Sequence, residues 1–175
     1  MGSTLVLRTT TARVVGAMAM GMGLVGVAGL ALSGELADLT TYGVLFAAVA
    51  LVGWAAFWTP YVEVSDGSVV LRNVMRTLTF PWPSILEVEG RYGLRLTTAY
   101  GRFTSWAATA PAGRERSKGV ESEAAMAVRQ RLDELAAYLA DPRLERERPD
   151  VRWHWPELAV AGALMLLALV GVAQG

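Results

Sequence analysis

The stretch Tyr61-Val62-Glu63-Val64-Ser65-Asp66-Gly67-Ser68-Val69-Val70-Leu71-Arg72 decides the fold. Tyr61 to Val64 alternates in period two, the pattern of a half-buried strand. Ser65-Asp66-Gly67-Ser68 interrupts it with an Asp-Gly turn signal, and Val69 to Val74 begins a second strand. The two runs therefore predict an antiparallel hairpin.

Working outward, the alternation continues. Arg76 to Phe80 predicts a third strand, closed by Pro81-Trp82-Pro83, because proline cannot donate to a ladder. In Ile85-Leu86-Glu87-Val88-Glu89 the pattern puts Leu86 and Val88 inward and the two glutamates outward. Leu94 and Leu96 alternate with Arg95 and Thr97, Tyr100-Gly101 marks a turn, and Phe103 to Trp106 returns. Six short strands of this kind need a cover for one face. Glu121 to Ala140 supplies it as a helix, with Val128, Leu132, Leu135 and Leu139 on one side. Glu121 and Glu123 favour its start and Arg129/Asp133 forms an i,i+4 pair. The stretch 110–118 reads as a loop, and 141–155 as a charged linker.

Either side of this segment the chain is apolar. Three blocks lack charge over most of their length: Val14 to Leu32, Thr41 to Trp58, and Pro156 to Ala173. Each reaches the ~17–25 residues a helix needs to cross a bilayer, and lipid leaves helix as the only way to satisfy their backbone groups. A cleaved signal peptide is the alternative for the first block, but its apolar run exceeds the ~7–15 residues of a signal core. Arg8 and Arg13 precede the first block, Arg143, Arg146, Arg148 and Arg152 precede the third, and the 33–40 loop has Glu35 and Asp38 but no basic residue. By the rule that basic segments stay cytoplasmic, residues 1–13 and the domain at 59–140 are expected inside and the C-terminus outside a plasma membrane. Trp54, Trp58, Tyr61, Trp153 and Trp155 would gather at the inner interface. The organisation predicted is a helical hairpin over 14–58, the domain, the linker and a third transmembrane helix over 156–175.

The first block carries Gly16, Ala19 and Gly23 among small residues four apart (Ala12/Gly16, Ala17/Gly21, Ala19/Gly23), a spacing that lets helices approach closely. They serve packing against the second block of the same chain, or against another membrane protein.

Composition excludes several functions. The 16 basic and 16 acidic residues balance, against a nucleic-acid partner. There is no cysteine and one histidine, His154, so disulfides, thiolate sites and histidine clusters within one chain are excluded. No phosphate loop, nucleophile elbow or paired-carboxylate motif stands out. Neither an enzyme, a small-molecule substrate nor a cofactor is expected. His154 reads as an interfacial residue between Trp153 and Trp155, and Glu157 as a helix-starting acid after Pro156.

A run of short motifs sharpens the fold: Val64-Ser65-Asp66-Gly67, Val70-Leu71-Arg72-Asn73, Phe80-Pro81-Trp82, Arg91-Tyr92-Gly93-Leu94, Gly101-Arg102 and Trp106-Ala107, in that order. This resembles the bacterial PH family of actinobacterial membrane proteins that includes the low-molecular-weight protein antigen 6 proteins. The resemblance covers 60–111 and implies a PH-like curved antiparallel sheet or barrel capped by a C-terminal amphipathic helix, held by membrane spans. It implies little about activity. Two features depart from the family: the third span, and a short acidic first turn where inositol-lipid-binding PH domains carry a longer basic loop. Inositol-lipid binding is therefore not carried over.

Two function readings follow. In the first, the chain is an adaptor or accessory subunit whose PH-like domain binds a protein partner at the membrane, with Trp82 and Trp106 as candidate contacts. In the second, Arg72, Arg76, Arg91, Arg95 and Arg102 form a face for anionic lipid headgroups. Solvated strand positions balanced by Glu63, Glu87 and Glu89 account for the same arginines, and core packing accounts for the tryptophans.

Overall fold

The computed structural model describes residues 4–34, 36–108, 120–141, 143–145 and 147–174; the 110–118 loop lies outside them. The chain divides into two compact units, Met1–Thr9 with Pro60–Trp153 and Thr10–Thr59 with His154–Gly175.

The first unit contains two antiparallel sheets. One is built from β1 (Leu5–Leu7), β2 (Tyr61–Val64), β3 (Ser68–Arg72), β4 (Arg76–Pro81) and β8 (Asp150–Trp153), in the order β1-β2-β3-β4-β8. The other contains β5 (Ile85–Glu89), β6 (Arg95–Thr98) and β7 (Gly101–Thr104) in sequence order. The six strands expected from the alternation are present, but the described strands form two sheets and close no barrel. Two further strands come from outside the alternating segment: β1 from the N-terminal stretch, and β8 from the charged linker.

Alternation explains the core. Val62, Val69, Leu71, Leu78 and Phe80 are fully buried while their neighbours along each strand are not. The β2–β3 turn is made without left-handed backbone at Asp66 or Gly67. Ser65 closes it instead: its N–H and hydroxyl both donate to the Ser68 carbonyl, at 3.0 and 2.9 Å. Glycine is needed at Gly101, where φ is +132°. In β5 the expected pattern fails. A bulge between Ile85 and Glu87 adds one residue, so Ile85 and Val88 point inward and Leu86 is half exposed.

The C-terminal helix is α3 (Glu123–Glu134), continued by the short α4 (Ala136–Leu139). Ser122 caps it, its hydroxyl accepting from Ala125 N–H at 3.3 Å. Ala124, Ala125 and Val128 are buried in the sheet core, and Leu132, Leu135 and Leu139 pack beside them. The helix thus covers the sheet of its own chain. Arg129 does not pair with Asp133; it reaches Glu121 and the Val88 carbonyl, because the N-terminal end of the helix sits over β5. Arg131 bridges Glu134 and Asp66, tying the helix to the β2–β3 turn.

The second unit is helical: α1 (Thr10–Ser33), α2 (Leu36–Gly53) running into a π-helical turn at Trp54–Trp58, and α5 (Trp155–Gln174). Helix α2 packs on both α1 and α5. Two stretches, Thr10–Ser33 and Ala37–Trp58, are long and apolar enough to cross a membrane, with mean hydropathies of 2.0 and 1.7. The third is shorter: its apolar stretch is Trp155–Gly171, about 26 Å at 1.5 Å per residue. These helices leave large apolar side chains outward, among them Leu32, Val25 and Met18 at 88, 73 and 69% exposure.

Candidate functional site

The register of the five-stranded sheet sets the candidate residues in rows. Arg72 stands opposite Tyr61 on one side and Thr77 on the other, and Thr77 stands opposite Arg152. Arg8 follows Leu7, which pairs with Val62, so it comes level with Tyr61. The outer face therefore carries, at one end, the row Arg8, Tyr61, Arg72, Thr77, Arg152. Arg8 and Arg72 both lie over the Tyr61 ring, their guanidinium carbons 5.2 and 5.9 Å from its centroid. Arg72 is half-buried, and its Nε has no hydrogen-bond partner among the described residues. The next row of the same face holds Val6, Glu63, Val70, Thr79 and Asp150. Arg76 stands opposite Trp153, with its guanidinium 5.4 Å from that ring. Parity places this pair on the core side, beyond the core's last row.

The other three candidate arginines belong to the second sheet or its turn. Arg95 pairs with Glu89 at 3.2 Å, and Arg102 and Glu87 stand on either side of Thr97. Arg91 is exposed in the turn after β5, over Tyr92. Each of the rows of Arg95 and Arg102 holds one glutamate and one arginine, whereas the Tyr61 row holds arginines alone as its charged members. The five arginines predicted as one face are thus divided between two sheets.

The two tryptophans part as well. Trp82 is 2% exposed and its indole N–H donates to the Ser65 carbonyl at 3.1 Å, so it is core. Trp106 is 59% exposed. Its backbone N–H donates to the Asn73 side chain at 2.7 Å, and that side chain donates to the Thr104 carbonyl at 3.0 Å. The link fixes the backbone at Trp106.

In the helical unit, Gly16, Ala19 and Gly23 all face α2. A Cβ on Gly23 would meet the Phe46 carbonyl at 2.5 Å, one on Gly16 the Gly53 carbonyl at 3.2 Å, and Ala19 fills the space beside Gly53. Gly21 and Gly29 face open space. Leu158 N–H donates to the His154 carbonyl at 3.0 Å and Glu157 is exposed in the first turn of α5, the geometry of a helix start. Among the described residues no cluster of three acidic or histidine side chains could hold a metal.

Arg8 and Arg152 were legible only as topology signals. The signal for β8 was present: Asp150-Val151-Arg152-Trp153 alternates polar and apolar, in a stretch where charge density suggests a linker.

Among known proteins, a family model described as Bacterial PH domain matches residues 59–137. No curated protein and no solved structure is found to match the chain. The match spans β2 to β7 and most of the C-terminal helical segment, and leaves β1, β8 and most of the apolar unit outside it. With the antiparallel sheets and their covering helix already described, residues 59–137 are a PH-like domain.

Proposed function

We propose that the chain is a membrane-anchored adaptor of the bacterial PH kind, resembling the antigen 6 proteins. Its apolar helices, α5 as a third span included, hold the PH-like domain at the cytoplasmic face of the plasma membrane, where it binds a protein partner. One observation carries this reading. The chain passes between the sheet and the apolar helices three times, and all three passages leave from one end of the sheet. β1 ends at Leu7 before α1, β2 begins at Tyr61 after the π turn, and β8 ends at Trp153 before α5. Their pairing puts Leu7 beside Val62, Tyr61 beside Arg72 and Trp153 beside Arg76. A hairpin of spans followed by a single span needs the start of the first, the end of the second and the start of the third on the same side of a bilayer. Arg8, Arg13, Arg148 and Arg152 cluster in sequence at those passages, favouring the inner side. The outward apolar side chains of α1, α2 and α5 suit lipid.

For the partner, Trp106 is the best anchor. It is large, exposed and held on a fixed backbone, and tryptophan dominates protein interfaces when it fills a pocket. The test is affinity purification of tagged chain from native membranes in mild detergent. A stoichiometric protein that is lost with Trp106→Ala supports the adaptor. Recovery of the bare chain refutes it. Release of the chain from membranes by alkaline carbonate refutes the anchor separately.

A further inference from the structure

We infer that the row Arg8, Tyr61, Arg72 and Arg152 is a binding site for the phosphate headgroup of anionic phospholipid. The inference rests on the membrane anchor proposed above and needs no protein partner.

The row is assembled from three separate parts of the chain. Arg8 directly follows β1 and Arg152 comes from β8, both outside residues 59–137, and only Tyr61 and Arg72 belong to the PH-like domain. It is thus a feature of this chain's added edge strands and stands apart from the β2–β3 turn, which is acidic at Asp66.

The charge pattern points to an anion. Two guanidiniums lie over one tyrosine ring, at 5.2 and 5.9 Å from its centroid, one from each strand beside it. Nothing acidic stands in their row. Glu63 and Asp150 are one row further along the same face, away from the end where the chain leaves for the apolar helices. Arg152 stands two strands from Arg72, about 10 Å at the usual strand spacing. Arg72 also keeps one donor unmet: its Nε is buried without an acceptor among the described residues. A phosphate brings several acceptor oxygens and a negative charge, which suits guanidiniums set in one row.

The occupant follows from chain connection. Only Thr9 separates Arg8 from α1. Thr59 and Pro60 separate Tyr61 from the π turn, and Trp153 and His154 separate Arg152 from α5. Each side chain of the row that comes from a connecting strand is within three residues of an apolar helix. With those helices in a bilayer, the phosphates within reach of such short connections are those of lipid. Tyr61 adds an aromatic ring of the type favoured at the headgroup level.

The test uses the full chain in neutral detergent, titrated with dioctanoyl-phosphatidylglycerol, dioctanoyl-phosphatidylcholine or inorganic phosphate, with binding read by microscale thermophoresis. Phosphatidylglycerol is expected to bind in a salt-sensitive way, more tightly than either comparison. Each Arg→Gln change at Arg8, Arg72 or Arg152 should weaken it about 5-fold, and the three together about 100-fold. Arg91→Gln with Arg102→Gln should leave it unchanged. Should Arg72→Gln fail to fold, the exposed pair Arg8→Gln with Arg152→Gln probes the same row, with about 25-fold weakening expected. Equal binding of the two lipids, unchanged binding in the row variants, or equal loss in the Arg91/Arg102 pair overturns the site. Inorganic phosphate binding as tightly as the lipid overturns the lipid assignment. Retention of the chain in carbonate-washed membranes alongside any of these results refutes the site while leaving the anchor standing.

Discussion

Replacing Gly90 by alanine probes how closely α3 is seated on the sheet. A Cβ at Gly90 would lie 2.7 Å from the Ala125 Cβ and 2.8 Å from the Glu121 Cβ. Carbon atoms in contact normally keep about 3.5–4.0 Å. Both neighbours are Cβ atoms fixed to the backbone, so no side-chain rotation relieves the clash. The helix start must shift by about 1 Å to restore ordinary contact. Overpacking of this kind costs about 1–3 kcal/mol. Against it, alanine restricts the unfolded chain and returns about 0.4–1 kcal/mol, since Gly90 does not adopt a positive φ. The net is a loss of about 1–2 kcal/mol, or roughly 5–15 °C for a domain of this size. Thermal unfolding of the full chain in detergent, followed by near-UV circular dichroism, reads it. Hydrogen exchange at the Ser122 amide, which donates to the Gly90 carbonyl at 3.0 Å, should quicken. Ala125→Gly removes one clashing carbon, so the double variant should be more stable than the sum of the singles by at least about 0.5 kcal/mol. Wild-type melting in Gly90→Ala, or strict additivity in the cycle, would refute the packing argument.

Three further outcomes are expected. Gly23→Ala should lower the thermal stability of the helical unit in detergent by about 1–3 kcal/mol, because its Cβ would meet the Phe46 backbone carbonyl; Gly21→Ala, in open space, should not, and equal effects would place the α1–α2 contact elsewhere. Trp82→Phe should lose about 1 kcal/mol in urea unfolding through its bond to the Ser65 carbonyl; wild-type stability in the variant would remove that bond from what holds the core. The Glu134 carboxyl is held below its ordinary range, first by the hydrogen bond from Arg131 and then by that from Gln130. Its pKa is depressed on folding, so its contribution is fully present above the ordinary carboxylate value and is lost as pH falls from there through the lowered one. Arg131→Gln should therefore flatten the acid side of the melting-temperature profile, and an unchanged slope would remove Glu134 from it.

The parts of this fold legible in sequence are those that repeat. Val62, Val64, Val69 and Leu71 alternate cleanly because each faces one core, and Val128 and Leu132 keep helical spacing for the same reason. Legibility ends where a single irregularity intervenes. One extra residue at the β5 bulge moves Leu86 from the core to the surface, and nothing in Ile85-Leu86-Glu87 announces it. The arginines were misgrouped for a similar reason: parity along a strand says which face a residue takes, but not which of two sheets the strand joins. Gly16 and Gly23 were recognisable as close-approach positions, yet their partner, Phe46 with Gly53, could only come from three-dimensional packing. Partner residues separated by long chain distances, such as Arg72 and Arg152, share a row through β4 alone.

The edge strands connect these observations. A hairpin of helices returns the chain to the side it left, so β1 and β2 can lie next to each other only as an antiparallel pair, with Leu7 beside Val62. On the opposite edge β8 could have run either way along β4. Parallel to β4, its end would have come out beside Pro81 and the third apolar helix would have left from the far end of the sheet. It runs antiparallel, with Trp153 beside Arg76, and all three passages share one end. The same two strands cover both edges of the β2–β3–β4 sheet, whose unpaired backbone groups would otherwise be open to another chain. They also bring Arg8 and Arg152 level with Arg72. Edge protection, a single exit side and a row of three arginines therefore arise from one structural choice, the antiparallel docking of two short strands. The same direction of β8 sets Asp150 one row back, in the row of Glu63.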